Sequence, residues 1–172
     1  MNKRLSITFI SASLLALAST LTFSQPSYAG GTKFKCQVLN GVHHTFAYTE
    51  DGKRYAIMKY LSTEFPPPYT PKRRCIDISK RFQRRYDNGL LRKVSSGTVN
   101  NQTVICAGRN ENTVCNNNNI LFTLGKGANA KKVANKLFNR RALATGQIVT
   151  NNSDPNYIMF DFDIYLNSLE SE

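Results

Sequence analysis

The chain has 172 residues, a formal net charge of +12 and four cysteines. Its one long apolar run lies at the N-terminus, which excludes a multi-pass membrane protein, and the remainder is long enough for one domain with a real core. So large an excess of Lys and Arg directs attention to anionic partners.

Residues 1–29 read as a signal peptide. Lys3 and Arg4 form a positive start, Leu5 to Phe23 is apolar and small, and Ser27-Tyr28-Ala29 offers small residues at the −3 and −1 positions of a cleavage site. A retained anchor fits less well, because Gln25-Pro26 breaks the run before the roughly 20 apolar residues a span needs. Cysteine does not follow the cleavage point, so a diacyl lipoprotein is not expected. The exported chain would be soluble, with periplasm, thylakoid lumen and medium all open as destinations.

Export makes the four cysteines legible as disulfides. Cys36, Cys75, Cys106 and Cys115 allow three pairings, and the intervening AGRNENTV can turn Cys106 back onto Cys115, leaving Cys36 for Cys75. Zinc is the competing reading. It lacks a C-x-x-C pair, and the only two histidines, His43 and His44, are adjacent.

Lys33 to Leu39, Thr45 to Thr49 and Arg54 to Tyr60 are rich in β-branched and aromatic residues, with Asp51-Gly52 marking a hairpin between the last two. Pro66-Pro67-Pro68 stiffens the approach to Thr70–Gly89, the most structured stretch of the sequence. Thr70 suits an N-cap, Pro71 the first helical position, and Asn88-Gly89 a left-handed exit. Cys75, Ile78, Ser79, Phe82 and Tyr86 share one stripe of this helix, opposite Arg73, Lys80, Arg81 and Arg84. Leu90 to Val99 and Gln102 to Ala107 then read as a hairpin turning at Asn100-Asn101, Ile120 to Leu124 as a buried strand, and Asn129 to about Leu143 as a second helix. The order implies an α+β domain: an antiparallel-rich sheet of about six strands, two helices packed on one face, and disulfide staples.

Charge is uneven along the chain. Residues 30–149 form the expected domain and carry +15, whereas residues 150–172 contain five acids and no base. Such an acidic tail could fold over the cationic faces or stay in solvent, and Tyr157, Phe160, Phe162 and Tyr165 favour at least partial docking.

The glycine-rich turn Leu124 to Ala130 matches G-x-G-x-x-A, but no acid follows about twenty residues on and no strand-helix-strand unit surrounds it, so a dinucleotide site is rejected. His43 and His44 are the candidates for acid-base chemistry, as in a small secreted hydrolase acting on phosphodiesters. Neighbours on a strand face opposite ways, so the pair cannot flank one phosphate unless a bulge intervenes. The cationic helix faces are the stronger signal. Lys72, Arg73 and Arg74 in the first turn of one helix, and Lys131 and Lys132 in that of the other, sit where the macrodipole prefers anions. With Lys80, Arg81 and Arg84 they compose the expected anion-binding set. The alternatives are that Asp77 or the tail neutralises these charges, or that they form a solvated face. The expected partner is an anionic surface: membrane headgroups, an acidic polysaccharide or an acidic protein. Nucleic acid fits the charge but not the compartment, and no cofactor is implied.

Phe34-Lys35-Cys36, Tyr60-Leu61-Ser62, Phe65, the block TPKRRCIDISKRFQ from Thr70 to Gln83, Asn88-Gly89, Val104-Ile105-Cys106, Cys115 and Leu121-Phe122-Thr123-Leu124, followed by a helix and Gly146, resemble the circadian oscillating polypeptide family of cyanobacteria. The likeness spans residues 34 to about 149. Tyr60 and Tyr69 stand where the family often has Trp. The resemblance implies an exported, membrane-associated protein whose abundance follows the day cycle, and it implies no catalytic activity.

Overall fold

The computed structural model describes residues 31–61, 65–148 and 153–171. The signal peptide expected over residues 1–29 lies outside them. In place of the single sheet of about six strands, two antiparallel sheets organise the fold. β1 (Lys33–Leu39), β2 (Val42–Tyr48) and β3 (Arg54–Tyr60) form the first, in the order β1-β2-β3. β4 (Lys93–Val99), β5 (Gln102–Gly108), β6 (Ile120–Thr123) and β7 (Met159–Asp161) form the second, in the order β6-β5-β4-β7. Local turn chemistry makes the hairpins: Asn40-Gly41 and Asn100-Asn101 both hold positive φ at their two central positions, the geometry that matches strand twist.

The stretch Thr70–Gly89 builds as its sequence demands. Helix α1 (Pro71–Asp87) starts with the Thr70 side chain accepting from Arg73 N at 3.2 Å. It ends with Gly89 at φ +62°, where Gly89 N donates to Tyr86 O and Leu90 N to Arg85 O, the paired bonds of a Schellman exit. Its buried stripe is Cys75, Ile78, Ser79 and Phe82, and the Cys36–Cys75 disulfide ties it to β1. The second disulfide joins Cys106 to Cys115. Both pairings are those read from the sequence.

Two helices replace the single one expected over Asn129–Leu143. α2 (Ala130–Leu137) stops because Phe138 becomes extended and forms a lone β-bridge with Met58 of β3. Asn139 then caps α3 (Arg140–Gly146), its side chain accepting from Arg141 N and Ala142 N. The fourth helix, α4 (Phe162–Asn167), comes from the acidic segment.

That segment is part of the core and not an appended tail. β7 pairs with β4, placing Phe160 opposite Val94. Phe162 is fully buried between Phe34 and Phe82, with ring centroids 6.0 and 5.8 Å away. The Tyr165 hydroxyl donates to Ile57 O at 2.6 Å and accepts from Asn139 N at 3.1 Å, while burial raises its pKa. Two of its acids serve the same seam: Asp161 pairs with Lys93, and Asp163 with Arg92 at 3.0 Å. These two therefore neutralise Arg92 and Lys93 at the start of β4.

Every outer strand of the two sheets has its backbone engaged from outside the sheet. Gln83 of α1 accepts from Phe34 N on β1 at 2.7 Å and donates to Thr32 O, and Arg81 of the same helix donates to Leu121 O on β6 at 2.9 Å. On β3 the outside partners are the Phe138 bridge and the Tyr165 hydroxyl, and on β7 they are Gln147 and Ile148. Helix α1 thus spans from one sheet edge to the other.

Candidate functional site

Where α1 crosses toward β6, it leaves a cleft of about 480 Å³. One wall is the 65–69 approach to α1, the floor includes Ile78 and Phe122, and Leu124, Gly125 and Lys126 close the far side. Three cations line it: Arg74, Arg81 and Lys126. Two of these are fixed before any partner arrives. Arg74 donates to Tyr69 O at 3.1 Å and lies over the Phe65 ring, 4.5 Å from its centroid. Arg81 is held by its bond to Leu121 O. Lys126 is exposed in the glycine-rich turn that ends β6.

Among the described residues one acid, Asp77, lines this cleft, and its Oδ2 is engaged by Arg73 Nε at 2.8 Å. The expected neutralisation by Asp77 therefore applies to Arg73. Positive charge accumulates further along the helix. Burial, with Arg84 and Arg81 nearby, lowers the pKa of Arg85 below the ordinary guanidinium value.

The structure gathers only part of the expected anion-binding set. Arg74 and Arg81 meet in the cleft, while Arg73 stands beside it in its pair with Asp77. Lys72, Lys80 and Arg84 are exposed on α1 outside the cleft lining. Lys131 and Lys132 lie at the start of α2, where Asn129 caps Lys132 N at 2.8 Å, and neither reaches the cleft. Sequence reasoning missed Lys126, Phe65, Tyr69 and Phe122. The glycines flanking Lys126 marked a turn, but only the crossing of α1 over β6 brings that turn to Arg81.

A second cleft, also about 480 Å³, opens beside β4 and the Cys106–Cys115 loop. Hydroxyl and amide groups line it together with Glu111, Asp154 and Tyr157, and neither Lys nor Arg is among the lining residues. Gly97 permits its close wall, since a Cβ there would stand 2.7 Å from the Cys115 sulfur.

The histidines line neither cleft. The bulge in β2 falls between Thr45 and Phe46, not between His43 and His44. His44 Nδ1 contacts Val42 O at 2.9 Å and its ring stacks toward Phe46. A ring nitrogen of His43 lies within 4.8 Å of the Cys36 and Cys75 sulfurs, but those sulfurs are bonded to each other and offer no thiolate to a metal.

A match to the family described as "Circadian oscillating protein COP23" runs over residues 33–167. The chain belongs to that family. The matched span begins at the first residue of β1 and ends at the last of α4, so the family unit is the whole two-sheet fold and includes the acidic segment. No curated protein and no solved structure matches the chain. Among the described residues, no helix is long and apolar enough to cross a membrane.

Proposed function

We propose that this protein is an exported, non-enzymatic binding domain that takes an anionic surface or partner at the basic face of α1, with Arg74, Arg81 and Lys126 as its grip. One observation carries this reading. Two cations of α1 and one from the turn after β6 line one cleft, and the one acid among its described lining residues is engaged by Arg73. Arg81, anchored through the Leu121 carbonyl, presents a pre-oriented planar guanidinium, the geometry that favours charge-assisted hydrogen bonds to a carboxylate or phosphate. Lys72, Lys80 and Arg84 add an outer field that draws anions toward the helix.

The test uses the mature domain and vesicles containing anionic lipid, with zwitterionic vesicles as the control. Arg74→Gln combined with Lys126→Gln should weaken anionic-vesicle binding by about 2 kcal/mol, roughly 1 kcal/mol for each cation at a surface. The deficit should shrink as salt is raised. Affinity equal to that of the parent, with the fold intact by circular dichroism, would remove the proposal.

A further inference from the structure

We propose that Asn40 is a site of spontaneous covalent modification, converting to aspartate and isoaspartate through a cyclic imide formed with the Gly41 backbone nitrogen. The reaction needs no enzyme. Gly41 N attacks the Asn40 side-chain carbonyl carbon, a new C–N bond forms, the old bond to Nδ2 breaks, and Nδ2 leaves as ammonia with the Gly41 amide proton. Water then opens the ring at either carbonyl. Neither oxidant nor reductant takes part, and each event replaces a neutral amide with a carboxylate.

Glycine is the residue after which this attack is easiest, since it has no Cβ to obstruct the approach. The sequence offers three such places: Asn40-Gly41, Asn88-Gly89 and the related Asp51-Gly52. The structure separates them. Gly89 N donates to Tyr86 O and the Asn88 side-chain amide donates to Arg84 O at 2.6 Å, so both reacting groups are tied into the exit of α1. Gly52 N donates to Thr49 O, and the bond from Lys53 keeps the Asp51 carboxyl ionised and a poor electrophile. Asn40 and Gly41 are exposed at the two central positions of the β1–β2 hairpin, with φ of +49° and +75°. Among the described residues, neither Gly41 N nor the Asn40 side chain has a hydrogen-bond partner. Rotating the peptide between them toward the side chain therefore breaks no hydrogen bond of either reacting group. The two products treat the hairpin differently. Aspartate tolerates positive φ and keeps the turn. Isoaspartate routes the backbone through the side chain and adds a methylene between Leu39 and Val42, which face each other as the last pair of β1 and β2, so it unsettles a two-residue turn.

The experiment ages the folded mature domain in warm, mildly alkaline buffer and follows Asn40 and Asn88 by peptide mapping, with an isoaspartyl methyltransferase to label the isoaspartate product. Asn40 should convert at least tenfold faster than Asn88. In urea, with the disulfides intact, the two sites should convert at similar rates, because the protection of Asn88 is then gone. Asn40→Gly, which suits positive φ and retains the turn, should remove the label from the β1–β2 peptide. Asn88 converting as fast as Asn40 in the folded domain would overturn the proposal, and so would an Asn40 that stays intact there.

Discussion

The two clefts have nearly the same volume and opposite chemistry. The α1 cleft is built by a helix crossing a sheet edge and collects guanidinium, ammonium and aromatic groups. The cleft beside β4 is built by a disulfide-closed loop and the 153–157 segment, and collects hydroxyls, amides and carboxylates. A chain of formal charge +12 therefore does not wear that charge as a uniform coat. Three basic residues line the α1 cleft and none lines the β4 cleft, which serves as an internal control within the same molecule, since an anion attracted by net charge alone should visit both.

Deleting residues 153–171 tests whether the clefts are separable, and it should have the largest effect. The segment supplies Asp154, Asn156 and Tyr157 to the β4 cleft and nothing to the α1 cleft. It also carries the buried Phe160, Phe162 and Tyr165. Losing a buried aromatic costs about 3–5 kcal/mol, so losing three exceeds most of the ~5–15 kcal/mol available to a domain. The truncated chain should lose its cooperative melt and both clefts with it. Retained folding with intact anion binding would show that the α1 cleft stands alone.

The disulfides give the next effect in size. Cys115 lines the β4 cleft, whereas Cys36–Cys75 fixes the helix that builds the other. With separations of 39 and 9 residues, loop-closure entropy assigns about 4 kcal/mol to the first and about 3 to the second. Replacing both members of each pair with Ser should lower the melting temperature more for Cys36/Cys75. The reverse order would mean that the β4 loop, and not α1, is the better-secured region.

The smallest effect is a pH dependence. Burial pushes the Asp161 carboxyl up, but the hydrogen bond from Lys93, helped by Ile164 N, outweighs it and the net pKa is lowered. A lowered acid stabilises the fold above its unfolded value, about 4, and loses that contribution as pH falls through the folded value. Asp163 works the other way: burial raises its pKa, so its contribution is present at low pH and is lost as pH rises through its folded value. Asp161→Asn should melt earlier at neutral pH and flatten the acid limb of the stability curve. An unchanged limb would remove the Lys93–Asp161 pair as a tie between β4 and β7.

How far the sequence foretells this depends on the range of the interaction. Thr70, Pro71 and Gly89 specify both ends of α1 within a few residues, and the hairpin strands follow from alternation and turns. The break at Phe138 was hidden because its cause is Met58, far back in the chain. The partition into two sheets was hidden for the same reason, since β7 reaches β4 across more than sixty residues. Acidic composition suggested a tail after residue 150, yet its aromatic residues decide its place: Phe160, Phe162 and Tyr165 are buried, and Asp161 and Asp163 pair with Lys93 and Arg92. In the candidate site, Arg74 and Arg81 were legible as helix-face cations. Lys126 was not, because nothing local to its turn announces the helix that crosses it.

The outside partners on the four outer strands bear on how the protein behaves when crowded. A bare strand edge is a template on which another chain can continue the ladder, and short antiparallel sheets such as these would offer four. Here an incoming strand must first displace Gln83 from Phe34 or Arg81 from Leu121, or break the contacts of Phe138 and Gln147. Because Arg81 also lines the α1 cleft, the side chain that covers the β6 edge is one of those proposed to meet an anion. Substituting it would open a β6 edge that a neighbouring molecule could extend.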